Sequence, residues 1–149
     1  MKTKTAGWVM ALLLVATPAL AHVTVRPRES KLGATETYTV NVPSEGGKTT
    51  TAVMLEVPDG VSVVSVAAPE GAKHEEKKSG DRIVSMTWTM EIKAGERAAF
   101  TFVAKNPATG ASLTWKVMQH YADATTSSWT PATTLLPAEV ALSTGAGAQ

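Results

Sequence analysis

No cysteine occurs anywhere in the 149 residues. That excludes thiolate zinc sites, iron–sulfur clusters and blue-copper centres, each of which needs a Cys sulfur. A chain of this length folds on its core alone, so disulfides are not required. Aromatic residues are scarce, at 5%, and no aromatic platform for polysaccharide stands out. An excess of charge of one sign is missing as well. Setting aside the first 21 residues leaves 12 basic side chains against 13 acidic ones, which gives no electrostatic footprint for nucleic acid or an anionic membrane. Also absent are a G-x-S-x-G elbow, an H-E-x-x-H pair and a Gly-rich phosphate loop. Ser128, His120 and Asp123 make a triad only on paper, since nothing in their spacing marks them out. Glu75 and Glu76 are no glycosidase pair, because neighbours on a strand point to opposite faces.

What is present begins with a leader. Lys2 and Lys4 precede an apolar run from Trp8 to Val15, then Pro18 and the small residues of Ala19-Leu20-Ala21. This is the pattern of a cleaved secretory signal peptide over residues 1–21. Cleavage after Ala21 makes His22 the new N-terminus. A terminal histidine offers its α-amine and ring Nδ1 to one ion in a six-membered chelate, and two nitrogen donors so arranged favour Cu(II). Any residue can follow A-x-A, so the position alone leaves an accidental histidine open. With no later apolar stretch of spanning length, the processed chain is expected to lack a membrane anchor and to reside in the periplasm, release from the cell being the alternative.

From His22 onward period-2 alternation replaces helical periodicity. Tyr38, Val40 and Val42 share a face, as do Val53, Leu55 and Val57; Val84, Met86, Trp88 and Met90; Phe100 and Phe102; and Leu113, Trp115, Val117, Gln119 and Tyr121. Val61 to Ala67 is a further β-branched run. Turn signals such as Gly46-Gly47, Asp59-Gly60, Ser79-Gly80-Asp81 and Asn106-Pro107 separate them. Seven or more short strands at this spacing predict an all-β fold, an immunoglobulin- or cupredoxin-like β-sandwich over residues 22–141, with a small, polar, disordered tail at 142–149. Lys73 to Lys78 reads as a charged edge strand.

Among the histidines, His74 lies in that charged stretch and reads as a solvent-facing spectator. His120 alternates with Lys116 and Met118, away from the core. Trp88 and Trp115 sit on apolar strand faces and read as core. Trp129 lies in the polar segment from Asp123 to Pro131, expected to be a loop, where it either joins a binding surface or caps one end of the sandwich.

Three segments together resemble the YcnI-like copper-binding domain: His22-Val-Thr-Val-Arg-Pro27, Glu36-Thr-Tyr-Thr-Val-Asn-Val-Pro-Ser-Glu45, and the later Gln119-His-Tyr-Ala-Asp123 with Trp129-Thr130. The likeness extends over the whole processed chain. It implies a cupredoxin-like fold and one Cu(II) held in a mono-histidine brace: the terminal amine and imidazole of His22, an oxygen from Glu45, and Trp129 packed against the ion. His120 departs from the aromatic residue that relatives often carry, so a two-histidine site stays open. The implied role is non-enzymatic copper handling as chaperone, carrier or buffer. Its partners would be the copper ion and another periplasmic copper chaperone or a copper transporter. The alternatives are a copper oxygenase of the histidine-brace type, which completes its brace with a second histidine, and a metal-free secreted β-sandwich binding module.

Overall fold

The computed structural model describes residues 22–139, so the leader at 1–21 and the tail at 142–149 lie outside the described residues. Twelve strands and no helix form among them. In chain order they are β1 (Thr24–Arg26), β2 (Glu29–Lys31), β3 (Thr35–Pro43), β4 (Thr50–Glu56), β5 (Ser62–Val66), β6 (Lys73–Ser79), β7 (Arg82–Ile92), β8 (Arg97–Lys105), β9 (Ser112–Thr114), β10 (Lys116–Tyr121), β11 (Thr126–Trp129) and β12 (Ala132–Leu136). A four-stranded sheet of order β1-β3-β8-β5 packs against a five-stranded sheet of order β11-β10-β4-β7-β6. A small third sheet has the order β2-β12-β9. This is the all-β sandwich that the alternation predicts.

The inward rows are the ones read from the sequence. Tyr38, Val40, Val42, Val53, Leu55, Met86, Trp88, Phe100, Phe102, Trp115 and Val117 are all buried. The scarce aromatics are concentrated here. Trp88 stacks on Phe100 with ring centroids 5.1 Å apart, and Tyr38 meets Trp115 at 4.8 Å and Phe102 at 5.5 Å. Rings at these separations add about 0.5–1.5 kcal/mol per pair beyond the area they bury. Two features depart from expectation. The row from Leu113 to Tyr121 is divided, with β9 joining the third sheet and β10 the five-stranded one. A register shift after His120 also leaves Tyr121 only half-buried, its hydroxyl 3.1 Å from Ser127 Oγ. The charged segment at 73–78 is an edge strand, β6, as expected, and its charges discourage edge-to-edge association.

The β3–β4 connection, the β7–β8 connection and the β10–β11 hairpin turn are tied together at one end of the sandwich. Ser44 N–H donates to Glu96 O at 2.8 Å and Gly95 N–H donates to Ser44 O at 2.7 Å, which ties the β3–β4 connection to the β7–β8 one. Ala122 N–H donates to Thr49 O at 2.9 Å, which brings in the hairpin.

Candidate metal centre

His22 is exposed and immediately precedes Val23 and β1, an edge strand paired to β3 through Thr24↔Asn41 and Val25↔Val40. Burial of Val23 and Val25 anchors the backbone right up to the histidine. The imidazole stands edge-on to Trp129, with centroids 5.3 Å apart and planes at 72°. It borders a cleft of about 340 Å³ shared with Thr24, Arg26, Asn41, Pro43 and Arg97.

Trp129 corrects a sequence expectation. It ends a strand, β11, rather than sitting in a loop, and Val117 lies opposite it on β10. Directly opposed residues share a face, so the indole points inward with Val117, half-buried against the core. The Thr-Ser-Ser run that reads as loop is edge strand, where hydroxyl residues are tolerated because one face is wet.

Glu45 lies on a tight turn. Lys48 N–H donates to Glu45 O at 3.3 Å, and the two central residues, Gly46 and Gly47, have φ of 68° and 69°. Positive φ at both positions is the requirement of a type I′ turn, which only glycine meets without strain. Ser44 Oγ donates to Lys48 O at 2.7 Å and accepts from Thr50 N–H at 3.0 Å, clamping the turn from below. Lys48 Nζ donates to Thr125 Oγ1 at 2.8 Å and lies 3.3 Å from an Asp123 oxygen, so the turn is also tied to the hairpin. Hydrogen bonds from the Thr125 hydroxyl and backbone hold the Asp123 carboxyl below its ordinary pKa, with Lys48 contributing.

What joins the indole to the glutamate's turn is Gln119, which is fully buried. Its Oε1 accepts from Trp129 Nε1–H at 3.1 Å. Its Nε2 donates to Pro43 O at 3.0 Å and to Thr50 Oγ1 at 2.7 Å. Thr50 Oγ1 in turn lies 2.8 Å from Ser44 Oγ. Since the Ser44 hydroxyl proton goes to Lys48 O, Thr50 is the donor to Ser44, and the polar chain runs in one direction from Gln119 to the Glu45–Lys48 turn. No buried side-chain N or O is left without a partner among the described residues. Sequence reading places Gln119 in a core-facing row but assigns it no role. An amide at an inward position is the signal that was there to be read, because buried polar groups are retained where they are bonded.

The structure thus brings His22 into ring contact with Trp129, and hangs Trp129 and the segment leading to Glu45 on one buried amide. His120 is not part of this group. It pairs with Ala52 and Thr126 on the outer face, opposite in parity to Gln119. His74 is on the charged edge strand, with Nδ1 2.6 Å from Glu76 Oε1. No cluster of three or more His, Cys, Asp or Glu suited to a metal ion occurs among the described residues. An ion at His22 therefore needs a donor beyond these side chains, and the α-amine that the expected cleavage before His22 would free is the one the sequence offers. Imidazole, amine and carboxylate together suit Cu(II). Trp129 provides a ring face only, because an indole N–H donates and has no lone pair to ligate with.

An immunoglobulin-like β-sandwich with an exposed histidine set against a half-buried indole is what the fold and geometry define. The chain belongs to the family described as a domain of unknown function, DUF1775, which matches residues 22–143. The YcnI-like resemblance agrees with this membership. The chain is similar to the copper-binding protein CutI of Bacillus subtilis (strain 168), at 41% identity over 123 residues, covering 80% of this chain and 60% of that one. It thus spans about 60% of that relative's length. Among solved structures, an uncharacterized protein from Nocardia farcinica with an immunoglobulin-like fold matches with a TM-score of 0.67 at 22% identity, over 76% of this chain and 97% of that one. A cohesin module from a Clostridium perfringens glycoside hydrolase matches with a TM-score of 0.54 at 9% identity, over 77% and 97%. Both show the fold alone.

Proposed function

We propose that this protein binds one Cu(II) at the processed N-terminus and handles the ion in the periplasm without turnover, as a chaperone, carrier or buffer. The His22 amine and imidazole form the chelate, Glu45 supplies an anionic oxygen, and Trp129 covers one side. The observation that carries the reading is the edge-on contact of His22 with Trp129 at 5.3 Å, at an end where a buried glutamine also fixes the approach to Glu45. The copper-binding relative at 41% identity supports it. Copper here is cargo, held by a chelate of two nitrogens and one oxygen at the start of an edge strand. His120, facing away on the outer surface of β10, is not positioned to complete a two-histidine brace, which favours handling over oxygen chemistry.

The test compares a chain beginning at His22 with one carrying a single extra residue before it, by EPR and by competition titration with Cu(II). The chain beginning at His22 should bind one ion with nitrogen hyperfine structure, and the extended chain far more weakly. Glu45→Gln in the first form should weaken binding and alter the spectrum while the fold persists. Equal affinity of the two forms would overturn the terminal chelate. An unchanged spectrum for Glu45→Gln would remove that glutamate and turn attention to Glu29 or Glu36.

A further inference from the structure

The outer face of the five-stranded sheet carries a second set of metal-capable donors that the first site does not use. Met54 on β4 and Met118 on β10 are directly opposed, 64 positions apart in the chain yet neighbours across the ladder. Directly opposed residues have Cβ atoms about 4.5–5.5 Å apart, well within reach of two flexible thioethers meeting at one ion. One rung on, His120 stands opposite Ala52 and diagonal to Met54, and the small alanine leaves space on that rung. All three donors are half-buried. The row continues outward to Ser128 beside Met118 and Thr87 beside Met54, so short hydroxyl residues flank the sulfurs and no large apolar side chain stands in register over them. Towards Trp129 the methionines border a cleft of about 150 Å³, with Lys116 and Glu56 at its rim. Lys116 and Glu56 lie 3.9 Å apart, so the lysine's charge is partly offset there.

Thioethers select soft monovalent ions, and imidazole is an accepting partner for them. Paired methionines on a water-facing sheet surface are also poor choices for a purely structural role, where β-branched or polar residues serve better. We infer that Met54, Met118 and His120 form a binding site for a soft monovalent ion of the Cu(I) and Ag(I) class, distinct from the site at His22. The inference does not depend on copper at His22, since it uses other donors on another face.

The experiment titrates Ag(I), a redox-inert ion of the same charge and softness, into the full chain labelled at the methionine ε-methyls. Expected is one equivalent that shifts the Met54 and Met118 methyl resonances together with the His120 ring signals. Met86, buried in the core, and Met90 should stay in place. The near-isosteric pair Met54→Leu and Met118→Leu should lower Ag(I) affinity at least tenfold, with the melting temperature of the metal-free protein close to the parent value. His120→Asn should weaken binding while the methionine shifts persist. A first equivalent taken by any other methionine or by His22 would overturn the site, as would unchanged affinity in the double leucine variant. Should that variant fold poorly, the single variants carry the test: each must weaken Ag(I) binding, and parental affinity in either would overturn the site equally well.

Discussion

A single buried amide decides how the candidate copper end is held. Gln119 spends both N–H groups and its oxygen on fixed partners: Pro43, Thr50 and Trp129. A buried acceptor that loses its donor costs about 1–3 kcal/mol. Trp129→Phe keeps most of the ring but leaves Gln119 Oε1 without its N–H, so the metal-free protein should lose about 1–3 kcal/mol. Gln119→Leu should cost a comparable amount, because Pro43 O and the Trp129 N–H lose their partner. Groups joined by a hydrogen bond couple, so the double variant should be less destabilised than the sum of the two. Urea unfolding of all four proteins measures this. Strict additivity would mean that the indole and the amide do not hold one another, and would leave Trp129 as a cap packed by its ring alone.

At the scale of the element, the tight turns carry the geometry, and they divide what was legible in the sequence from what was not. The long alternating rows were readable because each strand has one buried face, as with Tyr38-Val40-Val42 and Phe100-Phe102. The Glu45 turn was readable from its two glycines. The third sheet was not, since β2 and β9 have three residues each and period 2 cannot be told from chance over that length. β11 escaped for a related reason: Thr-Ser-Ser-Trp has loop composition, and only pairing with β10 makes it a strand. Nor does alternation reveal that Met54 faces Met118, because register between distant strands is a tertiary fact. The β10–β11 turn offers a local test. Ala124 has φ of 66°, a left-handed conformation that costs a non-glycine residue about 1–2 kcal/mol. Glycine relieves this but loses about 0.4–1 kcal/mol through the unfolded chain. Ala124→Gly should therefore raise stability by up to about 1 kcal/mol with the m-value unchanged. A loss of stability in urea titration would mean that the surrounding bonds, including Tyr121 N–H to Thr125 O at 3.0 Å, hold the turn in a shape glycine does not keep.

Across the whole molecule, the candidate copper end joins parts that the sheets leave separate. His22 leads into β1 at the edge of the four-stranded sheet, whereas Trp129 ends β11 at the edge of the five-stranded one. These two edges close on each other through the His22–Trp129 contact, and Glu45 belongs to the connection that carries the chain from one sheet to the other. An ion gripped by His22 and Glu45 would therefore tie an edge strand to the crossover between layers. It would also oppose separation of the two sheets between those edges. A ligand that binds only the folded state stabilises it by about 2.7 kcal/mol at a free concentration one hundred times its dissociation constant. For a domain of this size that corresponds to a rise in melting temperature on the order of 10 °C. Cu(II) at that excess should raise the melting temperature of the chain beginning at His22 by such an amount and leave the one-residue extension nearly unchanged. Glu45→Gln should fall between them at the same total copper, because its weaker affinity gives a smaller excess over its dissociation constant. A rise of equal size in the extended form would place the stabilising ion away from the terminal amine. If neither form responded, the two sheet edges would be held by the imidazole–indole contact without an ion.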